Sequence, residues 1–484
     1  MVFSSPIFLF LFLPLVLVAY YLIRPVSALL SNLILLLFSL LFYAWGEPVF
    51  MLVMLASIVC NYAFGLWLGR AQSARARQVA LTGAVVFNVA VLVVCKYANF
   101  VIDNLNGVLH SCGLHSMPWV HIPLPIGISF FTFQAMSYVI DVYRRETPVQ
   151  RNPLHIALYI ALFPQLIAGP IVRYHDIARQ IVYRRVTLPS VAGGVQRFII
   201  GLAKKVIIAN TLAGVADQVF ATPVVALAWG ESWLGLLCYA LQIYFDFSGY
   251  SDMAIGLGHM FGFTFLENFQ YPYIASSIRE FWRRWHISLS TWFRDYLYIP
   301  LGGNQRGAAR TYLNLLIVFF LCGLWHGASW TFVVWGLYHG VFLVIERTRV
   351  GRVLDALWAP LRHCYVLLVV LIGWCLFRAT TLSYAGAFVS VLFGGGAATH
   401  GLTQARYYMT PDVLAALGCG ALGSMPVLPA AQRLLASWRR PGFANALGDA
   451  GLACLSTAYL AVLFAWCAMA LASGTYNPFI YFRF

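Results

Sequence analysis

The amino-acid sequence predicts an all-α, polytopic integral membrane protein, and three features of its composition support this fold class. Of the 484 residues, 61% are hydrophobic and 10% are charged, whereas soluble domains carry about 25% charged residues. The apolar residues form runs of roughly 20, the length that an α-helix needs to cross a bilayer. Glycine and proline are frequent inside these runs, as in membrane helices that pack closely or break. We therefore expect roughly 11–13 membrane-spanning helices in a single membrane domain, residues 1–484, without a separate soluble domain.

The first five apolar runs agree with the rule that Lys- and Arg-rich loops lie on the cytoplasmic side. The first run has no basic residue before it and no small-residue cleavage site, so we interpret it as a retained helix and not as a signal peptide. With the N-terminus outside, the runs end alternately inside, at basic residues, and outside, with Lys96 as a minor exception. The five runs are residues 6–23, 29–45, 49–69, 79–96 and 124–143, and residues 99–121 are expected to form an outer loop.

The sixth apolar run, residues 155–172, does not fit this alternation. Arginines cluster on both of its sides, and its centre, Phe163-Pro-Gln-Leu-Ile-Ala-Gly-Pro170, is rich in residues that break helices. We predict a re-entrant segment that enters the membrane and returns to the cytoplasm. Irregular backbone at membrane depth is stable only where it is buried in protein or lines a cavity. The segment therefore predicts a cavity that opens to the cytoplasm.

The second half of the chain is expected to contain further spans around a polar, arginine-rich segment. Residues 271–310 are too polar to cross the membrane and are rich in arginine and tryptophan, so we predict an amphipathic layer at the cytoplasmic interface. Residues 311–325 and 329–345 are predicted to form a helical pair. The remaining expected spans are residues 194–215, 233–255, 365–377, 413–428 and 452–472, with a shorter apolar piece at 385–393. Both termini are then expected to lie outside.

His326 is the strongest candidate for a catalytic residue. It lies between Gly323 and Gly327 with Trp325 beside it, in an apolar helix pair where an ionisable side chain is costly and is by default interpreted as functional. The small neighbours allow backbone or substrate to approach closely. A neutral imidazole in a low-dielectric cavity is a suitable general base for a hydroxyl or a thiol. The alternative interpretation is a core histidine that is hydrogen-bonded to a neighbouring helix.

His286 and three preceding residues are expected to share one face of a helix. The face consists of residues with i, i+3, i+4 and i+7 spacing, namely Arg279, Trp282, Arg283 and His286. The guanidinium groups can bind a phosphate-bearing ligand while the imidazole reaches inward. The alternative is an interfacial helix whose arginines reach lipid headgroups and whose tryptophans anchor it. The sequence leaves both interpretations open.

Two carboxylates lie at the end of the span 233–255. Asp246 and Asp252, with Ser248 between them, can orient a histidine or position arginines. A structural polar network or a helix-end cap is at least as good an interpretation.

Other kinds of site find no support in the sequence. The residues His110, Cys112, His115 and His121 lie in one predicted outer loop, but their spacing matches no zinc pattern, and no metal site is predicted. No Walker motif, dinucleotide-binding glycine motif or Gly-x-Ser-x-Gly elbow is present. The formal net charge of +15 is mostly due to arginines between apolar spans, which fits cytoplasmic loops and anionic headgroups better than nucleic acid.

Long blocks of the chain resemble the membrane-bound O-acyltransferase (MBOAT) family, and within it the AlgI-type branch of bacterial alginate O-acetylation. The resemblance runs nearly from end to end, and blocks of this length are far more specific than a short motif. The blocks include Met1-Val-Phe-Ser-Ser5, Tyr43-Ala-Trp45, Lys96-Tyr-Ala-Asn-Phe100, Leu124-Pro-Ile-Gly-Ile-Ser-Phe130, Asp141-Val-Tyr143, Leu166-Ile-Ala-Gly-Pro170, Tyr244-Phe-Asp-Phe-Ser-Gly-Tyr-Ser-Asp-Met-Ala-Ile-Gly256, Glu280-Phe-Trp-Arg-Arg-Trp-His-Ile-Ser-Leu-Ser290, Leu324-Trp-His-Gly327 and Phe482-Arg-Phe484.

The resemblance implies helices around a central tunnel and an acyl transfer across or within the membrane. In the family, the histidine that matches His326 is the essential residue. The histidine that matches His286 is the second conserved one, near the cytoplasmic mouth of the tunnel. Related proteins take the acyl group from a cytoplasmic thioester, and acetyl-CoA is the donor expected here. They pass the group to a periplasmic partner acetyltransferase of the SGNH-hydrolase type, which esterifies polysaccharide hydroxyls within a biosynthesis and secretion complex.

These implications define the roles that we expect, and the catalytic region is about residues 240–346. His326 is expected to deprotonate the acceptor hydroxyl or to relay the acetyl group, and His286 to orient the donor or to stabilise developing charge. The donor's phosphates are expected to be held by Arg279, Arg283 and Arg284. Supporting polar residues are expected to be Asp246, Ser248, Asp252 and Trp325. No cofactor besides the acetyl-CoA substrate is expected.

Three alternatives remain at this stage. The same chemistry can serve cellulose or another exopolysaccharide instead of alginate. A polysaccharide transporter would also be polytopic, but inverted repeats would be expected and none is apparent. A non-catalytic scaffold of a secretion complex would tolerate the loss of His326, which an enzyme would not.

Overall fold

A computed structural model describes residues 1–396, 401–438, 443–474, 477 and 480. These residues form helices and connecting segments, with no β-strand among them. The helices are α1 (Phe8–Ile23), α2 (Ala28–Ala44), α3 (Met51–Arg70), α4 (Ala74–Ser111), α5 (Ile128–Arg144), α6 (Pro153–Ala161), α7 (Phe163–Leu166), α8 (Tyr174–Val182), α9 (Leu188–Ala221), α10 (Trp229–Met260), α11 (Ile278–Arg284), α12 (Ile287–Phe293), α13 (Ala308–His326), α14 (Trp330–Ile345), α15 (Arg349–Ala356), α16 (Ala359–Arg378), α17 (Leu382–Leu392), α18 (Gly401–Tyr408), α19 (Pro411–Gly423), α20 (Val427–Trp438) and α21 (Phe443–Ala472).

Within the described residues, six helices are long and apolar enough to cross a membrane. They are α3, α4, α9, α13, α16 and the Gly451–Ala472 part of α21, and the shorter apolar helices are α1, α2, α14, α17 and α19. This confirms the predicted all-α polytopic class. The predicted span 413–428 is divided, because α19 ends at Gly423 and α20 begins at Val427. The C-terminal block Phe482-Arg-Phe484 lies outside the described residues.

Helix α4 continues well beyond the predicted end of its apolar run. The helix includes a π-helical turn at Val93–Tyr97 and then extends to Ser111. The interpretation of residues 99–121 as an outer loop is therefore wrong as far as residue 111. The prediction used the end of the apolar run, but residues that are too polar to lie in lipid can still continue a helix.

Helix α10 lies at the centre of the described fold, and nearly all of its side chains are buried. It packs along α9 at very short range because glycines face each other. A Cβ atom on Gly249 would lie 2.7 Å from the carbonyl oxygen of Gly201, so a larger residue would force the helices apart. Such small-residue contacts are the usual way in which membrane helices approach closely.

The helix in residues 155–172 breaks where the sequence predicts. Helix α6 ends at Ala161, α7 is a single turn, and residues 158–172 are all buried. The backbone groups that lose their helical partners at this break are hydrogen-bonded to side chains. The N–H of Phe163 donates to Ser39 Oγ (3.1 Å), and the side-chain amide of Gln165 donates to the carbonyl of Tyr159 (2.6 Å). This satisfies the condition that irregular backbone in a membrane protein must be hydrogen-bonded internally.

In residues 271–310, the tryptophans do not have the exposed positions that interfacial anchors would need. The segment contains the short helices α11 and α12, and its tryptophans are buried: Trp282, Trp285 and Trp292 are each less than 10% exposed. The Trp292 ring stacks on Phe133, with the ring centroids 3.9 Å apart. The composition of an interfacial helix resembles that of a helix that packs its tryptophans inward, so the composition alone could not distinguish the two.

Helices α13 and α14 form the predicted pair and cross at two glycines. A Cβ atom on Gly323 would lie 2.3 Å from the carbonyl oxygen of Phe332, and one on Gly336 would lie 2.2 Å from that of Phe319. This close crossing fixes the last turn of α13, where His326 is the final helical residue.

Candidate active site

A cavity of about 230 Å³ lies between the α11–α12 segment and the α13–α14 pair. We call it the arginine cavity, because Arg279, Arg283, Arg294 and Arg347 line it. The two candidate histidines, His286 and His326, line it as well, together with Trp282 and Cys322. The cavity therefore combines cationic groups with two imidazoles in an otherwise apolar bundle.

His286 lies in the cavity for a different reason from the one predicted. Helix α11 ends at Arg284, so the expected continuous helical face from Arg279 to His286 is not present. His286 instead has a left-handed backbone conformation, with φ of 44°. Such a conformation is uncommon for a residue other than glycine and is concentrated at functional sites. This sharp turn directs His286 towards the same cavity as Arg279 and Arg283.

The His286 ring is held by hydrogen-bond contacts at Nδ1 and by aromatic contacts. Its Nδ1 lies 3.0 Å from Oδ1 of Asn268 and 3.5 Å from Oγ of Ser288, whereas its buried Nε2 has no hydrogen-bond partner among the described residues. The ring of Phe247 contacts it edge-on, with centroids 4.6 Å apart. Burial lowers the pKa of His286 to about 3, so the imidazole is neutral at physiological pH.

His326 is held mainly by aromatic rings. The rings of Trp325, Trp335 and Phe377 lie 4.8, 5.0 and 5.2 Å from its own ring, and its buried Nδ1 has no hydrogen-bond partner in the described part of the chain. Trp325 also contacts the His286 ring at 6.0 Å and so connects the two histidines.

His326 also lines a second, smaller cavity of about 70 Å³. We call it the lysine cavity, because Lys96 lines it with Ser129 and the loop residues 124–127. Its volume holds only a few water molecules. His326 is thus the histidine that both cavities share.

Lys96 holds the end of α13 from the side of the lysine cavity. Its buried Nζ donates to the carbonyl oxygens of Trp325 and His326, the latter at 3.4 Å, and the Tyr97 hydroxyl donates to the carbonyl of Leu324 at 2.8 Å. The sequence analysis treated Lys96 only as an exception to the charge rule. A lysine within an apolar run was the signal that could have identified it.

The arginines predicted to bind phosphate divide into two groups. Arg279 and Arg283 line the arginine cavity, whereas Arg284 does not, because it pairs with Glu280 (2.8 Å). Arg294 and Arg347 line the cavity and were missed, since they are distant in sequence from the predicted face.

Glu346, which directly follows α14, holds the N-terminus of α11. Its carboxylate accepts hydrogen bonds from the backbone N–H groups of Ile278 (2.6 Å) and Arg279 (3.0 Å), the first residues of α11. A carboxylate at this position satisfies the free amides of a helix N-terminus and is favoured by the helix dipole. Glu346 therefore holds α11, with its arginines, against α14.

The predicted supporting residues on α10 lie apart from the histidines. Asp246 pairs with Lys205 (2.8 Å), both almost completely buried, and Asp252 pairs with Lys204 (2.6 Å) and Arg197 (2.8 Å). Ser248 is buried in the same helix, and none of the three lines the arginine cavity or the lysine cavity. Of the two interpretations, the structure favours a polar network that joins α10 to α9. Trp325 is the one predicted supporting residue that contacts the histidines.

One group of side chains in the described residues has the geometry for a metal ion. The ligand atoms of Asp141, Glu146 and His175 all lie within 4.8 Å of one another. Hydrogen bonds and charge from Asp141 and Asp176 raise the pKa of His175 to about 9, so His175 is a cation in an ion-pair network. The group does not line the arginine cavity.

Comparison with known proteins gives a consistent result. The family model described as "MBOAT, membrane-bound O-acyltransferase family" matches residues 49–383. "Probable alginate O-acetylase AlgI" of Azotobacter vinelandii is 44% identical, with 100% of both chains covered. The protein of the same name from Pseudomonas aeruginosa is 49% identical over 82% of this chain and 75% of its own. "Peptidoglycan O-acetyltransferase" of Helicobacter pylori is 38% identical over 72% of this chain and 70% of its own.

These matches define the class of this protein, which is that of the membrane-bound acyltransferases. The chain belongs to the membrane-bound O-acyltransferase family and is an O-acyltransferase. The resemblance seen in the sequence is thereby confirmed.

Proposed function

We propose that this protein is an O-acetyltransferase of the bacterial inner membrane that transfers an acetyl group from cytoplasmic acetyl-CoA to an acceptor hydroxyl reached from the periplasmic side. The transfer serves the O-acetylation of an exopolysaccharide such as alginate. The observation that carries the proposal is that His326 lines both the arginine cavity and the lysine cavity. A base in this position can contact a donor from one side and an acceptor from the other.

The arginine cavity is the proposed donor site. Guanidinium groups suit a ligand that carries several phosphates, because each can form charge-assisted, bidentate hydrogen bonds. Arg279, Arg283 and Arg347 are the proposed phosphate ligands. Arg294 also lines the cavity but pairs with Asp295 (2.7 Å), and the predicted Arg284 is better assigned to its pair with Glu280. The positive-inside rule assigns this arginine-rich face to the cytoplasm and both termini to the periplasm. Acetyl-CoA carries both phosphate groups and a thioester, so it fits this site as the donor.

The lysine cavity is the proposed acceptor site. Its volume admits a hydroxyl group and a two-carbon acetyl group but not a polymer chain. This supports delivery of the acetyl group to a partner, an SGNH-type periplasmic acetyltransferase, which then esterifies the polysaccharide. The names of the Azotobacter and Pseudomonas relatives favour alginate as the polysaccharide, and the Helicobacter relative shows that other polymers are possible for this family.

The proposed reaction forms one ester bond and breaks one thioester bond. His326 accepts the proton of the acceptor hydroxyl as its oxygen attacks the thioester carbonyl. The carbon–sulfur bond then breaks, the acetyl group remains on the acceptor oxygen, and the proton passes to the departing thiolate to give free CoA. His286 assists by orienting the donor or by stabilising developing charge. Aromatic walls exclude water and so limit hydrolysis of the thioester.

The test is acetyl transfer by purified, reconstituted protein given radiolabelled acetyl-CoA, with wild type compared with His326→Ala. Turnover in wild type that is lost in the variant would establish His326 at the centre of an acetyltransferase. Equal turnover in both would refute that role. If neither turns over, the SGNH-type partner is added; continued inactivity of the wild type would favour a scaffold or a transporter.

A further inference from the structure

Asn268 contacts the turn that carries His286 at four points. It lies in the extended segment between α10 and α11 and is 1% exposed. Its backbone carbonyl accepts the N–H of Ile287 (3.0 Å). Its side-chain Oδ1 lies 3.3 Å from the N–H of Ser288, 2.9 Å from Ser288 Oγ and 3.0 Å from Nδ1 of His286. Asn268 thus satisfies the first amides of α12 from a different segment of the chain.

The orientation of the Asn268 amide follows from partners whose roles are fixed. The backbone N–H of Ser288 can only donate, and the backbone carbonyl of Gly169, 3.4 Å from Nδ2, can only accept. The opposite orientation would place the NH₂ group against an N–H and the oxygen against a carbonyl. Ser288 Oγ accepts the N–H of Ile171 (2.9 Å), so its own proton is available to Oδ1. Ser251 Oγ, 3.0 Å from Nδ2, completes the network.

We propose that Asn268 is a positioning residue that holds His286 in the tautomer with the proton on Nδ1. Ser288 Oγ lies 3.5 Å from Nδ1 but 2.9 Å from Oδ1, so its proton is better placed for Oδ1 than for the ring. The amide oxygen, which only accepts hydrogen bonds, then takes an N–H from the ring nitrogen that faces it. Nε2, at the other end of the ring and without a partner, then carries a lone pair. His286 lines the arginine cavity as a hydrogen-bond acceptor.

This inference rests on the proposed function and narrows the role of His286 in it. A neutral ring with a bare Nε2 cannot donate to the thioester carbonyl oxygen, so it does not stabilise the developing oxyanion. It can accept a hydrogen bond from an N–H or O–H of a substrate. His286 therefore orients the donor or receives a proton, and the buried, strained turn at His286 is kept in place for that purpose.

An acidic group at position 268 should change the pH dependence of the reaction. In Asn268→Asp the carboxylate still accepts the Nδ1 proton, so the tautomer and most of the activity at high pH are retained. The negative charge stabilises the protonated imidazole, so neutral His286 is lost at a higher pH than in wild type. The acid limb of the rate profile therefore moves to higher pH. The other titratable groups that line the cavity around His286 are His326, Cys322, Arg279, Arg283, Arg294, Arg347 and Tyr298.

Removing the hydrogen-bond acceptor at position 268 should lower turnover more than converting it to a carboxylate does. In Asn268→Ala the ring is free to adopt the other tautomer, and we expect a loss of turnover on the order of 10- to 100-fold, as for other residues that orient a functional histidine. The matched control is Asn88→Asp, another buried asparagine, which lies on α4 and is hydrogen-bonded to Asn61. This control should keep the wild-type profile.

The experiment measures acetyl transfer by the full-length, reconstituted variants with labelled acetyl-CoA across a pH series, after size-exclusion chromatography has shown that each is folded. A shifted acid limb in Asn268→Asp and a slower Asn268→Ala support the proposal. A wild-type profile in Asn268→Asp, or full activity in Asn268→Ala, overturns it. If Asn268→Ala does not fold, Asn268→Asp against Asn88→Asp decides.

A second measurement is independent of turnover. Isotope-labelled histidine, with the signal of His286 assigned by its absence in His286→Gln, reports by NMR which ring nitrogen carries the proton. A proton on Nδ1 supports the proposal, and a proton on Nε2 overturns it. A wild type that stays inactive after the SGNH-type partner is added would therefore count against the proposed function without affecting this result.

Discussion

The two sets of buried polar side chains in this protein differ in how completely they are paired. On α10, Asp246 and Asp252 each form ion pairs with basic residues of α9. In the candidate site, Nδ1 of His326 and Nε2 of His286 are buried and have no hydrogen-bond partner in the described residues. A buried polar atom without a partner costs free energy, and a ligand in an adjoining cavity can supply the missing partner. Ser248 Oγ and His339 Nδ1 are also unpaired in that part of the chain but line neither cavity, so the two histidines are distinguished by an unpaired nitrogen together with a place in a cavity wall.

The largest expected effect tests the unpaired side of this comparison. His326→Ala should lower acetyl transfer by on the order of 100- to 10,000-fold, the usual contribution of a general base. The matched control is His339→Ala. His339 is equally buried and packs against Trp282 and Trp335, but it does not line either cavity. A comparable loss of turnover in folded His339→Ala would mean that the aromatic cluster, and not the base, is what His326→Ala disrupts.

The paired side should respond in stability and not in chemistry. Asp246→Asn leaves the charge of Lys205 buried without its carboxylate, which should lower the free energy of unfolding by about 3–5 kcal/mol. Adding Lys205→Met should recover much of this loss, because no unpaired charge then remains. Thermal unfolding in detergent measures the stability, and turnover per folded molecule should equal that of wild type. A loss of turnover in the double variant would place Asp246 in the catalytic machinery.

Among the arginines, the comparison predicts a smaller and selective effect. Arg279→Ala and Arg283→Ala should each raise KM for acetyl-CoA about 10-fold, since each removes one charged hydrogen-bonding group from the donor's phosphates. Arg284→Ala should leave KM unchanged, because Arg284 is paired with Glu280 outside the cavity. Steady-state kinetics of the three variants decide the point. An equal rise in all three would show that the arginines act through the general field and not by contact.

The smallest effect concerns the ion pairs of His175. Its pKa is raised from 6.5 to about 9 by Asp141 and Asp176, so its contribution to stability is fully present below pH 6.5 and is lost as the pH rises through about 9. His175→Gln should therefore destabilise the protein by about 1 kcal/mol at pH 6, a modest value because the pair is partly exposed and screened. The difference from wild type should vanish above pH 9 in thermal unfolding. A constant difference across this range would mean that packing, not charge, is lost.

Much of the fold was predictable from the sequence because apolar runs and basic loops obey simple rules. The helix break at residues 162–170 was evident from its prolines and from the charges on both sides. The interior position of Trp282 and Trp292 was not, since tryptophan and arginine are common both at membrane interfaces and in buried layers. The length of α4 was also missed, because helix formation does not end where hydrophobicity does.

The candidate site was only partly predictable, for a related reason. His326 and His286 were identified because an ionisable group in an apolar chain is rare. Arg284 and Arg283 were indistinguishable until the structure showed that one pairs with Glu280 and the other lines the cavity. The role of Asn268 depends on contacts between residues about 20 positions apart in the chain, and no local pattern encodes such contacts.

The lysine that holds the end of α13 has an electrostatic consequence for the histidine there. The last carbonyl groups of a helix together carry roughly half a negative charge, and a ring in the final turn experiences the resulting potential. Lys96 places an ammonium group on the carbonyls of Trp325 and His326. Its positive charge therefore opposes the negative end of the α13 dipole next to the ring. The position of His326 and the charge balance around it thus depend on a side chain of α4 as well as on α13 itself.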